Sequence, residues 1–347
     1  MFRGASIAAM ILVNDPGDRS VTYAQLLHSP WNGFTFADTI FPAFLWIAGF
    51  ASVLSLRTRA VHGVSRASLL GHAARRALIL FACGLLLEGF PYFELAHYQL
   101  TGVLQKIAVS YFCAFAIALV TGWRGQLLAL LALFVGYIAF MLLTTAPDCV
   151  GGAWSAACNG ARRLDSALLS GHLWLSAAGN DPDGIIGTLA GIGSVLLGMS
   201  CARAFDADPA GNRRLMAAGA GAMLAGFALS AWIPINKVLW TPSYVLLMAG
   251  ISALVFALVY WLVDVRGHTR AFRCLEIFGR NALAAYILSR LLVDLLKKQV
   301  AGHSIYHDLL LPIAAPPVAS LLFAGLNVAA VYCIVWLMYR RQIFVKL

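Results

Sequence analysis

The chain has 347 residues, of which 61% are hydrophobic and only 12% charged, and its mean hydropathy is +0.80. A soluble domain carries about one quarter charged residues, so this composition excludes an ordinary soluble globule and points to a polytopic membrane protein. The formal net charge of +10 speaks first of membrane topology, because no basic run interleaved with aromatics marks a nucleic-acid surface.

In chain order, residues 2–14 are apolar but short, and they lack the basic n-region and cleavage site of a signal peptide. They suit the remainder of a first membrane helix. Further segments of spanning length and composition follow at 36–56, 72–90, 101–121, 126–144, 183–203, 213–231, 241–263, 274–296 and 317–339. Each is bounded by polar residues, Gly or Pro. About ten transmembrane helices are therefore expected, an all-α bundle forming a single transmembrane domain over 1–347. The connection 145–182 is too polar to span.

Most of the 25 Lys and Arg residues gather on alternate connections. One side holds Arg3, the group from Arg57 to Arg76, Arg124, Arg203 to Arg214, Arg266 to Arg273, and Arg340, Arg341 and Lys346. The bias of basic residues toward the inner face then puts both termini in the cytoplasm. Loops 15–35, 88–100, 145–182, 232–240 and 297–316 face outward. Cys149 and Cys158 flank "CVGGAWSAAC", and on an outer loop a disulfide between them is plausible. The other five cysteines sit in apolar runs, and no C-x-x-C pair suggests zinc or redox chemistry.

The outer loops are rich in groups that recognise a polar ligand. The first holds Asn14, Asp15, Asp18, His28, Trp31, Asn32 and Asp38; the second holds Glu88, Tyr92, Glu94, His97 and Gln99. "GNDPDG" with Asp181 and Asp183 precedes a helix, and "WIPINKVLWTPSY" contributes Asn236, Lys237 and Trp240. Aromatic faces with short acceptors are a sugar-binding palette. The plainer reading stays open too, since Trp and Tyr favour the membrane interface and Asp caps helices. His28 with Asp38 is harder to dismiss: an ionisable group at a helix mouth is expensive, and a carboxylate-oriented His is a base suited to neutral pH. Lys106, Arg280, Asn281, Arg290 and Asp294 fall in or near spans, where they mark a ligand pathway or an ion pair locking helices. His303 and His307 have metal-ligand spacing but no third ligand, and "HSIYHD" matches a short H-x4-D acyltransferase signature only by chance.

"LLHSPWNGFTFADTIFPAFLWIAGF" resembles the signature segment of the lysosomal heparan-α-glucosaminide N-acetyltransferase family and its bacterial inner-membrane relatives. "FRGASIAAMILVNDPG", "TGVLQKIAVSYF", "DPDGIIGTLAGIGSVLLG", "PINKVLWTPSYVLL" and "GRNALAAYIL" extend that resemblance along most of the chain. It implies an acetyl-CoA-dependent N-acetyltransferase of the inner membrane that associates as a homodimer. Such an enzyme passes an acetyl group to the amine of a glucosamine-type sugar across the bilayer. His28 would be base or nucleophile near the outer face, Asp38 its orienter, and Asn14 or Asn32 the oxyanion donor. Trp31, Glu88, Asp181, Asp183, Asn236, Lys237 and Trp240 would meet the sugar. Arg75, Arg76, Lys106, Arg280 and Asn281 would hold CoA, and no metal is implied. The chain departs from the family pattern at Gln99, Thr101 and Lys106, which puts the heparan acceptor in question. A transporter or channel for an amino sugar is the alternative from another class.

Overall fold

The computed structural model describes residues 1–61, 63–90, 93–94, 97–145, 149–174, 179–205, 209–297 and 305–345. Tyr92, His303 and Lys346 fall outside them. Among the described residues the chain forms twelve α-helices: α1 Phe2–Asn14, α2 Phe36–Val61, α3 Arg66–Gly89, α4 Val103–Val120, α5 Trp123–Thr144, α6 Gly160–Leu168, α7 Ile185–Ala204, α8 Pro209–Leu229, α9 Pro242–Tyr260, α10 Arg273–Arg280, α11 Ala282–Lys297 and α12 Pro316–Arg340.

Among the described residues, seven helical segments are long and apolar enough to cross a membrane: Phe36–Thr58, Arg66–Gly89, Val103–Val120, Trp123–Thr144, Ile185–Ala204, Pro242–Val265 and Pro316–Arg340. At about 1.5 Å per residue these reach the roughly 30 Å of a hydrocarbon core. Phe2–Asn14 and Ala282–Val293 are apolar but shorter. Two expectations change. The stretch 213–231 is helical as part of α8, but its Ala, Gly and paired arginines keep it below the apolarity of the seven. The single span expected over 274–296 is two helices, α10 and α11, broken at Asn281.

The break goes with a tertiary contact of Asn281. Asn281 has φ −122° and ψ 41°, outside the helical range. Its side chain is fully buried and binds the chain's last described stretch, donating to the Ile343 carbonyl at 3.0 Å and accepting from Val345 N–H at 2.9 Å.

The chain divides into two compact units. One comprises Met1–Ser29, Phe34–Phe44 and Phe256–Leu347. Here α1 packs so closely on α10 that a Cβ on Gly4 would meet the Leu275 carbonyl oxygen at 1.7 Å. Arg3 Nε donates to the Gly279 carbonyl at 2.9 Å. At the far end of α1, Gly17 N–H donates to Ser320 O, and Asn327 donates to the buried Asp15 carboxylate at 2.8 Å. Within this unit, then, α1 begins beside the arginines of α10 and ends beside the start of α12.

The other unit comprises Pro30–Gly33 and Leu45–Val255. Its core holds Leu45, Trp46, Val195, Met199 and Tyr244, all essentially inaccessible. The small-residue run of α7 serves packing inside this unit. A Cβ on Gly198 would lie 2.0 Å from the Trp46 carbonyl oxygen, and one on Gly49 would lie 2.0 Å from that of Val195. Only hydrogen side chains allow such an approach of two backbones. Cys149 and Cys158 are joined by a disulfide that closes the loop before α6.

Candidate active site

The start of α2 builds the most defined polar arrangement of the first unit. Thr35 precedes the helix and Asp38 stands three residues later, the T-x-x-D spacing of a capping box. Asp38 Oδ2 turns back and accepts from Thr35 N–H at 3.0 Å and from Ser29 N–H at 3.0 Å. The Thr35 hydroxyl lies 3.2 Å from the same oxygen but 2.6 Å from the Leu27 carbonyl, and its one proton serves the nearer acceptor best. Gln25 Oε1 accepts from Phe36 N–H at 3.1 Å.

These bonds immobilise a carboxylate whose side chain has no solvent exposure. Its second oxygen, Oδ1, sits 2.8 Å from His28 Nδ1. An ionised carboxylate only accepts, so Nδ1 carries the proton and Nε2 of the neutral ring holds the lone pair. The His28 side chain is 42% exposed, so the ring is reachable although its orienting partner is sealed. The second nitrogen of an imidazole held by a fixed carboxylate can take a proton or attack a carbonyl carbon.

Asn14 ends α1, and its carbonyl accepts from the Arg19 guanidinium at 3.2 Å. Asp18 accepts from the Ser20 amide and hydroxyl at 2.8 and 2.7 Å, which holds its carboxyl below the usual range.

In the second unit, two of the residues singled out as sugar contacts, Asp183 and Trp240, meet Lys106. Asn236 donates to Asn32 Oδ1 at 3.1 Å, and the two backbones form an isolated antiparallel bridge. Trp31 Nε1 donates to the Trp154 carbonyl at 2.9 Å, inside the disulfide loop. The tight turn after Asn236 brings Trp240 into the core at φ 55°, a left-handed conformation that a bulky residue adopts only when its surroundings enforce it. Lys106 Nζ lies 3.6 Å from the Trp240 ring centroid, donates to the Pro182 carbonyl at 2.7 Å and stands 3.8 Å from Asp183 Oδ1. A fully buried ammonium is thus met by a π-face, a carbonyl and a carboxylate, which offset the loss of water.

The turn before α7 carries the matching acids. Asp181 accepts from Asp183 N–H, Trp174 N–H and the Thr101 hydroxyl. Burial pushes the Asp183 carboxyl up to about 6 despite the nearby Lys106 charge. Asp165 of α6 accepts from Ile185 N–H at 3.0 Å, capping α7, and burial raises it likewise to about 6. Asp165 and Gln105 escape a reading of the sequence alone, and Thr101 stands out there only as a departure from the family pattern. Gln105 is buried, and neither amide atom has a partner among the described residues; a Cβ on Gly102 would lie 2.8 Å from its Oε1 and 3.2 Å from Glu88 Oε1. Lys237, in the same turn, supplies its carbonyl to Trp240 N–H at 3.1 Å.

The residues proposed for CoA divide between the two units. Arg75 is exposed on α3, whereas Arg76 is half-buried with its guanidinium 4.9 Å from the Tyr111 ring centroid. Both belong to the second unit, while Arg280 and Asn281 belong to the first. Arg280 pairs with Glu276 at 2.6 Å and lies over Tyr339, and Asn281 holds the tail as described. Among the described residues, no group of three or more His, Cys, Asp or Glu is placed to hold a metal ion.

Comparison with known proteins bears on the same segment. The family model described as "Heparan-alpha-glucosaminide N-acetyltransferase, catalytic" matches residues 1–164, which include Asn14, His28, Asp38 and Lys106. Heparan-alpha-glucosaminide N-acetyltransferase of Mus musculus is 26% identical, over 77% of this chain and 49% of that protein. The Homo sapiens protein is also 26% identical, over 77% of this chain and 48% of its own length. The chain therefore spans about half the length of the curated relatives it matches. The signature segment and the His28–Asp38 pair both fall within the matched region, so over residues 1–164 this chain is similar to the heparan-alpha-glucosaminide N-acetyltransferase family.

Proposed function

We propose that this chain is a membrane acetyltransferase that moves an acetyl group from acetyl-CoA to the amine of a glucosamine-type sugar, with His28 at the reacting centre. The observation that carries this reading is the exposed His28 ring locked by a buried, multiply bonded Asp38 carboxylate. Neither a structural helix cap nor a solute path requires a reactive imidazole in that state.

Two routes use the same nitrogen. In direct transfer, Nε2 removes a proton from the sugar ammonium, and the free amine attacks the thioester carbonyl. Collapse breaks the C–S bond, and the imidazolium protonates the departing thiolate. In the two-step route, Nε2 itself attacks, the C–S bond breaks and CoA leaves as the thiolate, which takes a proton from the sugar ammonium; the free amine then takes the acetyl group from imidazole and loses its second proton to water. In both, Asp38 stabilises the positive ring, and Asn14 or Asn32 amides serve the oxyanion. The acceptor would rest against Trp31, Asn236, Trp240 and the acids Glu88, Asp181 and Asp183, with Lys237 beside them. Arg75, Arg76, Lys106 and Arg280 with Asn281 are the candidates for the anionic donor. In the bilayer, His28 faces outward and the donor's phosphates lie on the cytoplasmic side of the inner membrane. Association as a homodimer fits the family resemblance.

The test is acetylation of glucosamine by purified protein with acetyl-CoA, His28→Ala alongside. Acetylated sugar from wild type, reduced about 10²- to 10⁴-fold in the variant, is the expected result. A mass gain of one acetyl on wild-type protein without acceptor selects the two-step route. Glucosamine binding with no CoA binding would overturn the reading in favour of a transporter.

A further inference from the structure

A separate feature lies in the first unit, where α10 meets the end of α12. A cavity of about 520 Å³ is lined by Arg270, Arg273 and Arg340, with Tyr332, Trp336 and Tyr339 as its aromatic wall. Glu276, the carboxylate on the same helix, is held by Arg280 at 2.6 Å and does not line the cavity. Three arginines therefore line one space, and among the described residues that line it there is no carboxylate. The first turn of α10 adds to the positive field, since its N-cap position is Phe272 and no side chain caps it. Arginine forks and aromatic faces recognise a phosphate ester better than a simple carboxylate or halide.

What surrounds the cavity narrows the ligand. The Arg340 guanidinium lies 5.1 Å from the Trp336 ring centroid, and Arg266 lies 4.6 Å from Trp261 at the end of the α9 span. Such Trp–Arg couples at helix ends sit at the depth of lipid headgroups. Along α12, Leu322, Leu326, Ala329, Cys333, Trp336 and Arg340 are all exposed. Their spacing alternates between four and three, so they form one stripe down a helix face. That stripe is apolar for most of its length and runs straight into the cavity through Trp336 and Arg340. A charged headgroup site continuous with an apolar, unoccluded helix face matches an amphiphile rather than a free nucleotide.

We propose that this cavity binds the phosphate headgroup of an anionic phospholipid whose acyl chain lies along the exposed stripe of α12. The binding is independent of the acetyl-transfer chemistry.

Native mass spectrometry of the wild-type protein, mixed with equal amounts of phosphatidylglycerol and phosphatidylcholine, tests it directly. Retention of phosphatidylglycerol over phosphatidylcholine by roughly tenfold or more is expected, with each of Arg273→Gln and Arg340→Gln cutting that preference about fivefold. Arg124→Gln, in the other unit, controls for general loss of charge. A diazirine-bearing phosphatidylglycerol should label the peptide carrying Cys333 to Arg340. Equal retention of the two lipids by wild-type protein would overturn the proposal. So would an unchanged preference in the arginine variants, or displacement of the bound lipid by excess CoA, which would make the site a nucleotide one. Self-crosslinking of α12 with no lipid label would give the stripe to a second copy and refute it equally.

Discussion

Asp38 carries two jobs with two oxygens, and they can be separated. Asp38→Asn keeps an oxygen for the Ser29 and Thr35 amides, so the start of α2 survives. It turns an NH₂ group toward His28 Nδ1, which forces the ring proton onto Nε2 and removes the lone pair needed there. Acetyl transfer should fall about 10²- to 10⁴-fold with the melting temperature little changed; a rate fully retained would show that the pair is only structural. Asp165 makes a different prediction. Its folded-state pKa of about 6 lies above the ordinary carboxylate value of 3.8, so the folded chain binds this proton more tightly than the unfolded one. Its contribution is fully present below about pH 4 and is lost as pH rises through about 6. Asp165→Asn keeps an acceptor for Ile185 N–H and has no charge to bury. Thermal unfolding should show the variant stabilised at pH 7.5, with the advantage fading toward pH 4, and a difference flat across that range would contradict it. The His28–Asp38 contact was legible in sequence because one short segment carries both residues. The cap on α2 was legible too, in T-x-x-D, though that spacing was not used. Asp165 and Gln105 were not, since their surroundings come from segments distant in the chain.

Helix elements were read well where composition is uniform and poorly where it is mixed. Runs such as Trp123–Thr144 are apolar throughout, and burial of backbone hydrogen bonds in lipid leaves helix as the only solution. The break at Asn281 escaped because "IFGRNALAAY" is compatible with a continuous helix; what stops it is a tertiary bond to the tail more than 60 residues away. The sequence shows the small-residue run "GTLAGIGSVLLG" in α7 but not what it packs against. The structure supplies that partner, and it makes Gly198 decisive, because the Trp46 backbone occupies the space that any side chain needs. Gly198→Ala should lower stability by about 1–3 kcal/mol through displacement of α2 from α7, although alanine favours helix intrinsically. Gly221→Ala, on α8 with open space around it, should be neutral or slightly stabilising. A melt of the two variants in one detergent reads the contrast, and equal effects would deny the close crossing.

At the scale of the molecule, the charge pattern makes a claim about sidedness that the first unit can test internally. Arg3 bonds Gly279 at the start of α1, and Arg280 stacks on Tyr339 near the end of α12, so these arginines share one end with Arg273 and Arg340. Asp15, Asp18 and the start of α12 share the other, through Asn327 and Ser320. The bias of basic residues toward the cytoplasm predicts this unit with its arginine end inward and the His28 segment, reached from Asp18 through Thr22 on Ser320, outward. Cys274 is exposed at the arginine end, and Gln25→Cys would place a thiol beside the α2 cap. A membrane-impermeant maleimide should label Gln25→Cys in intact spheroplasts and Cys274 only in inverted vesicles, each in a background with the remaining free cysteines replaced. The reverse pattern would put His28 on the cytoplasmic side. Donor and imidazole would then share one compartment, and the bilayer would no longer have to be crossed by the acetyl group. Labelling of both thiols from one side would instead mean that α1 and α12 do not span. The experiment thus decides whether the chemistry at His28 is transmembrane transfer or ordinary transfer at a membrane surface.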